Sequence, residues 1–153
     1  MTDSAQAIDF SKLTPIELMF GEDFEEAQQL AALCEEAELY LSSFGWCKGV
    51  KKAYFGLGVS DLIGIFLFEL MSSEDARDKF LWVVAGDFPP ACLATDNCPN
   101  PAIALREYVQ KMRHWCSRAL AEGKIDAEQE RNLMRRITLL GSEVLSHYRD
   151  ELN

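Results

Sequence analysis

The sequence predicts an α+β fold: a small antiparallel three- to four-stranded meander packed with an N-terminal helix and a C-terminal helical hairpin, in the order α-β-β-β-α-α. Apolar residues recur three and four positions apart near the N-terminus and again after residue 101, which is typical of amphipathic helices. Between these regions, short apolar runs are joined by connections too short for a crossover helix, so neighbouring strands should be antiparallel. Helices layered on such a sheet bury one face of each element.

The N-terminal region divides into an irregular segment and a helix. Residues 1–20 carry apolar side chains without a sustained period, and we expect them to be loosely ordered, with a helical turn after Thr14-Pro15. A helix is predicted over 23–42, before Gly45, from a stripe at three- and four-residue spacing: Ala27, Leu30, Cys34, Ala37 and Leu41.

The strands are predicted at 54–59, 62–70, 80–86 and 91–95. The Asp-Phe-Pro-Pro sequence that follows the third strand turns the chain, because proline cannot continue a central ladder. The strands at 62–70 and 80–86 are almost continuously apolar, so both faces of the sheet should be covered, by helices or by a partner.

The second and third helices are predicted from their capping residues. Asn100 followed by Pro101 is a strong helix start, and Gly123 is a natural left-handed end, which gives a helix over 101–122. Asp126 with Gln129 resembles a capping box for a helix over 126–149. The short link predicts an antiparallel hairpin with these apolar faces: Leu105, Tyr108, Val109, Met112, Trp115, Cys116, Ala119 and Leu120 on one helix, and Leu133, Ile137, Leu140, Val144 and Tyr148 on the other.

Length and composition predict a single domain over 1–153 whose core needs neither metal nor disulfide. The chain has 153 residues, of which 48% are hydrophobic. Its longest nearly apolar run is about half a membrane span, and its N-terminus has no signal-peptide pattern, so we expect a cytoplasmic protein with no membrane association. Five scattered cysteines without a CxxC indicate reduced thiols. The combination of Cys92, Cys98, His114 and Cys116 matches no familiar zinc spacing, so we expect no metal and no cofactor.

Acidic residues are concentrated at one end of the chain. The formal net charge is −10, and residues 1–45 hold ten acidic residues against one basic residue, or −9. Such a field disfavours nucleic acid and favours a basic protein partner. The alternative reading is a solvated helix face that keeps the protein soluble.

Two aspartates, Asp87 and Asp96, flank the last predicted strand. Paired carboxylates can serve acid/base chemistry or bind a cation, but Asp is also a common turn residue, and a five-residue strand separates its ends by about 15 Å. No phosphate loop, zinc-protease motif or nucleophile elbow occurs, so we assign no catalytic residue and favour a non-enzymatic role. The candidate partner-binding residues are Glu22, Glu25, Glu26, Glu35, Glu36, Asp87 and Asp96.

One segment resembles a known pattern. The sequence from Trp82 to Pro89 looks like a pattern in a family of small uncharacterised bacterial proteins, together with these later residues: Ala91, Leu93, Thr95, Asp96, Pro99 or Pro101, Ala104, Leu105 and Tyr108. Trp46, Cys47, Gly56 and Gly64 belong to the same pattern, so the resemblance spans 44–122. It implies no activity and no catalytic residues.

The function that the sequence favours is an acidic cytoplasmic protein–protein interaction module. An immunity- or antitoxin-type inhibitor of a basic toxin is one form of that function, by analogy with other small acidic bacterial proteins. Two alternatives stay open: a small-molecule-binding or enzymatic domain with a pocket near Asp87, Asp96 and Trp46, and an obligate homodimer with a structural role.

Overall fold

The computed structural model describes residues 8–18, 24–59, 62–71, 79–96 and 98–152. It divides after Ala104 into two compact units. Each unit is described by itself.

The first unit contains a five-stranded antiparallel sheet, in which the strands follow one another in chain order. The strands are β1 (Thr14–Pro15), β2 (Val50–Val59), β3 (Ile63–Leu70), β4 (Phe80–Gly86) and β5 (Ala91–Ala94). The α+β class and the antiparallel meander are thus confirmed.

The sheet has one strand more than the three to four predicted. Strand β1 is two residues long, pairs with Phe55 and Tyr54 of β2, and is flanked by 3₁₀ turns at Phe10–Lys12 and Ile16–Leu18. A two-residue strand has no alternating pattern, so no period could indicate it. Strand β2 also begins four residues earlier than predicted, because Val50, Lys51 and Lys52 extend its pairing with β3.

Helix α1 (Phe24–Ser42) packs on one face of the sheet. Its buried residues are Leu30, Leu33, Cys34, Ala37 and Leu41, which confirms most of the predicted stripe and adds Leu33. Beneath it, one hydrophobic cluster joins these side chains to Phe66, Phe68 and Val83 of β3 and β4. The burial of this cluster fixes which side of α1 faces solvent.

The opposite face of the sheet is also buried, as the sequence predicts. Trp82 of β4 is fully buried there, with Leu67 and Leu93 as its cross-strand neighbours. Its indole Nε1 donates a hydrogen bond of 2.8 Å to the Cys98 carbonyl oxygen. The segment before the second helix therefore lies over this face.

Helix α2 (Pro101–Ala121) begins in the first unit and continues into the second. The Asn100 side chain accepts a hydrogen bond of 2.9 Å from the Ile103 backbone N–H, so the predicted cap is present. Pro101 packs against β2, where a Cβ on Gly56 would lie 2.8 Å from the Pro101 Cβ. The sheet register shifts between Phe55 and Leu57, so Gly56 occupies a bulge that permits this approach.

The second unit holds the rest of α2 and α3 (Ala127–Leu139), and their link has the predicted chemistry. Gly123 has a positive φ of 76°, and the Lys124 N–H donates to the Ala119 carbonyl at 2.9 Å, which is a Schellman ending. The Asp126–Gln129 capping box is present in both directions. Gly141 approaches Val109 in α2, so the two arms run antiparallel as a hairpin.

The prediction of one continuous α-helix over 126–149 is wrong in its last third. The chain widens into a π turn at Leu140–Val144 and then forms a 3₁₀ segment at Leu145–Leu152, with non-helical angles at Tyr148. Gly141 and Ser142 are weak helix formers, so replacing α-helical by π-helical geometry costs least in this region. Trp115 and Leu120, both predicted on the apolar face of α2, are each 38% exposed.

Candidate functional site

The outer face of α1 brings three of the predicted partner-binding residues together. Glu25, Glu35 and Glu36 are exposed, and at 100° per residue they project from the side of the helix opposite its buried stripe. Glu26 is half-buried nearer the sheet. Glu22 lies outside the described residues.

An apolar side chain lies among these carboxylates. Leu39 is 73% exposed, and it follows Glu35 and Glu36 by one helical turn, on the same outer side of α1. Leu39 is not among the residues predicted from the sequence, although it lies off the apolar stripe that includes Ala37 and Leu41. We call Glu25, Glu35, Glu36 and Leu39 the α1 outer face.

Three aromatic rings follow at the C-terminal end of α1. Tyr40 meets Phe44 edge to face, with ring centroids 5.1 Å apart, and Phe44 stacks on Trp46 at 5.5 Å. Trp46 is 56% exposed. Burial, followed by the nearby Cys92, raises the pKa of Tyr40, so its phenol stays protonated and neutral at physiological pH. The helix thus ends beside three aromatic rings in contact, of which Trp46 is exposed to solvent.

The first unit carries the whole negative charge of the protein. It contains 17 acidic and six basic residues, a net charge of −11, whereas the second unit contains eight acidic and nine basic residues, a net charge of +1. The basic residues Lys48, Lys51 and Lys52 do not neutralise the negative charge of the α1 outer face. Lys51 lies 3.7 Å from Glu69, and the Lys52 ammonium lies over the Tyr54 ring, so both contact strand residues.

Asp87 and Asp96 lie at opposite ends of β5. Asp87 is exposed in the turn after β4, where its backbone N–H donates to the Leu62 carbonyl at 2.8 Å. Asp96 is half-buried beyond the end of β5 that pairs with Leu81. Asp87 directly follows Gly86, and Asp96 lies beyond the position opposite Leu81. The distance from Leu81 to Gly86 along β4, about 17 Å, therefore approximates the separation of the two aspartates, which is too long for a catalytic dyad. Neither is on α1.

Within the described ranges, no group of three or more His, Cys, Asp or Glu side chains is placed to hold a metal ion. In the same ranges, no helix is both long and apolar enough to cross a membrane. None of the five cysteines forms a disulfide, and Cys34, Cys98 and Cys116 are buried. Burial, then the neighbouring Glu38 and Glu35, raises the pKa of Cys34 to about 11.

The thiols should react with iodoacetamide in the order of their burial. At pH 8, Cys47 and Cys92 should be alkylated first, while Cys34 should resist, because raising its pKa by two units lowers its thiolate fraction about 100-fold. In denaturant without reductant, all five should be modified. Peptide mass spectrometry reads both patterns, and fewer than five modified thiols in denaturant would contradict the reduced state.

Comparison with protein-family models, curated proteins and solved structures gave no match.

Proposed function

We propose that this protein is an acidic interaction module that binds a basic protein partner through the α1 outer face. The observation that carries the proposal is Leu39, 73% exposed on a helix whose neighbouring outer positions include Glu35 and Glu36. An apolar anchor with a charged rim is the usual anatomy of a binding surface. The predicted cytoplasmic location is part of the proposal.

The net charge of the first unit indicates which class of protein the partner belongs to. A net charge of −11 attracts proteins with basic surfaces from a distance, and the exposed carboxylates then orient the encounter. Proteins that act on nucleic acid present such basic surfaces, because they must bind phosphates. Immunity- or antitoxin-type inhibition of a basic toxin is accordingly the specific form of function that we favour, with α1 occupying the toxin's basic surface.

Neutralising the α1 outer face should slow association with the partner. The triple variant Glu25→Gln, Glu35→Gln, Glu36→Gln should lower the association rate constant about tenfold at low salt, because electrostatic steering is lost. At higher salt the difference should shrink, since the screening length falls to about 8 Å at physiological ionic strength. The measurement is stopped-flow association, at two salt concentrations, with the partner isolated on immobilised wild-type protein.

The matched control changes the net charge equally in the other unit. The variant Glu107→Gln, Glu128→Gln, Glu143→Gln should reduce the association rate constant less than about twofold. Leu39→Ala should instead raise the dissociation rate constant and leave the association rate constant unchanged, because an apolar anchor acts after docking. If both triple variants slow association equally, only the total charge matters and the α1 outer face is not the docking surface. Recovery of the chain itself as the partner would favour the homodimer instead.

A further inference from the structure

An exposed indole lies in the turn that follows α1. The Cys47 N–H donates to the Phe44 carbonyl at 3.1 Å, and this bond closes a turn in which Trp46 is the third residue. The Trp46 ring stacks on Phe44 at an interplanar angle of 19°. Because Phe44 covers one face of the indole while 56% of the residue is exposed, the opposite face is open to solvent.

The stacked rings are attached to the core of the first unit. Tyr40 meets Phe44 edge to face and packs against the hydrophobic cluster beneath α1. Its phenol also contacts Cys92 of β5. The indole of Trp46 is thus held at the helix end by contacts that exist without a partner, which lowers the entropy lost when another group binds its open face.

The chemistry of the helix end favours a cation on that open face. Ser43 and Phe44 donate to three of the four carbonyls that end α1, whereas the carbonyl of Ser42, an exposed residue, accepts no further bond from a described residue. The last turn of α1 has no basic residue that would compensate the negative end of the helix dipole. Glu36 adds an exposed carboxylate one turn before Tyr40, on the same side of the helix. The ring face, the carbonyl oxygen and the carboxylate all attract positive charge.

One basic residue of the first unit opposes this preference. Lys48 is exposed and follows Trp46 by two residues. It does not cover the indole, because the cation–π contacts among the described residues are made by Lys52 and Lys79. Exposed carboxylates on the last two turns of α1 outnumber it: Glu35, Glu36 and Glu38. The charge around the indole is therefore negative on balance.

We propose that Trp46, together with the carbonyl end of α1 and Glu36, binds an arginine side chain of the basic partner, an inference that rests on the function proposed for the α1 outer face. A guanidinium is planar, so it can stack on the indole while its edge donates hydrogen bonds to the Ser42 carbonyl. A lysine ammonium is a compact point charge that cannot stack in this way. Arginine and tryptophan are also the residues that most often carry the binding energy of protein interfaces.

The test is the binding of an acetylated peptide amide, Gly-Ala-Arg-Ala-Gly, to the full chain, followed by the backbone amide NMR signals of Gly45 and Cys47. We expect a dissociation constant of about 1–10 mM for this single side chain. Citrulline in place of arginine keeps the planar shape but removes the charge, so binding should weaken at least about fivefold. Lysine in the same place keeps the charge but cannot stack, so binding should weaken about threefold.

Variants of the chain separate the indole from its surroundings. Trp46→Ala should weaken binding of the arginine peptide at least about fivefold, whereas Trp46→Tyr should stay within about twofold of the wild type, because a ring face is present again. Lys48→Gln should tighten binding about two- to threefold, because it removes the opposing charge. A residue with a merely structural role would not produce that gain.

The matched control is Phe24→Ala, which removes a ring that is 78% exposed at the opposite end of α1. It should change the dissociation constant less than about twofold, because the helix dipole is positive there. Absence of peptide binding at about 20 mM, equal binding of the citrulline peptide, or equal effects of Trp46→Ala and Phe24→Ala would each overturn the proposal.

The outcome is distinguishable from that of the function proposed for the α1 outer face. If the arginine peptide does not bind but the triple variant Glu25→Gln, Glu35→Gln, Glu36→Gln still slows association with the partner, the acidic docking face stands and the arginine site is wrong. If the peptide binds as expected but the triple variant leaves association unchanged, the arginine site stands and the acidic docking function is wrong.

Discussion

Replacing Trp82 with alanine should lower the free energy of unfolding by about 3–5 kcal/mol, because it empties a large, fully buried site in the middle of the sheet. The indole lies between cross-strand neighbours on β3 and β5, which are held by the backbone ladder and cannot close the cavity by moving. The hydrogen bond to the Cys98 carbonyl is lost as well. Chemical denaturation followed by far-ultraviolet circular dichroism measures the change.

Two further variants separate burial from hydrogen bonding. Trp82→Phe keeps most of the apolar volume but removes the hydrogen bond from the indole to the Cys98 carbonyl, so a smaller loss of about 1–3 kcal/mol is expected. Trp46→Ala should cost less than about 1.5 kcal/mol, since that ring is 56% exposed and contributes mainly its stacking on Phe44. A loss below about 1 kcal/mol for Trp82→Ala would contradict the buried position of the residue.

The parts of the fold that could be predicted from sequence are those set by local chemistry. Asn100, Gly123 and Asp126 act on backbone groups within a few residues, so their caps could be identified without knowing what the helices pack against. The buried stripe of α1 followed from its period for the same reason. Strand β1 escaped prediction because its two residues pair with a strand forty positions away, and no local pattern encodes that partner.

The end of α-helical geometry at Leu140 shows a different limit of prediction from sequence. The apolar period continues through the π turn and beyond, so the pattern indicates one helix although the hydrogen bonding changes. Trp115 illustrates the same point for burial: its position in the stripe of α2 predicts an interior residue, yet it is 38% exposed. Periodicity predicts a face of a helix, but not how far the neighbouring elements extend over that face.

The acidic part of the candidate site was predicted better than its apolar part. Net charge and its position along the chain are properties of the sequence, and any residue off the stripe of an amphipathic helix is expected to be exposed. Leu39 was overlooked because single exposed apolar residues are common on protein surfaces and carry no signal alone. It gains significance only from its neighbours Glu35 and Glu36 and from the exposed Trp46 that follows, and the aromatic stacking that holds Trp46 requires the structure.

Replacing Gly86 with alanine should be the second strongly destabilising change, with an expected loss of about 2–6 kcal/mol. Gly86 has a φ of 139°, which side-chain-bearing residues rarely adopt, and an added Cβ would lie 2.3 Å from the Leu62 carbonyl oxygen and 2.8 Å from the Ile63 Cα. Both obstacles are backbone atoms, so no side-chain rotation relieves the contact. The same Leu62 oxygen accepts the hydrogen bond from Asp87, and displacing it would break the link that ties the β4–β5 turn to the start of β3.

Gly123→Ala is the matched control, because it has backbone strain without a clash. Its φ of 76° is also positive, but no atom outside its immediate neighbours lies within 4 Å of an added Cβ, so the expected loss is about 1–2 kcal/mol. Denaturation of the two variants side by side therefore separates close packing from backbone conformation. Equal losses would show that the approach of β4 to Leu62 is not tight. A larger loss for Gly86→Ala would show that the close approach of β4 to Leu62, and not only the positive φ, requires a glycine at this position.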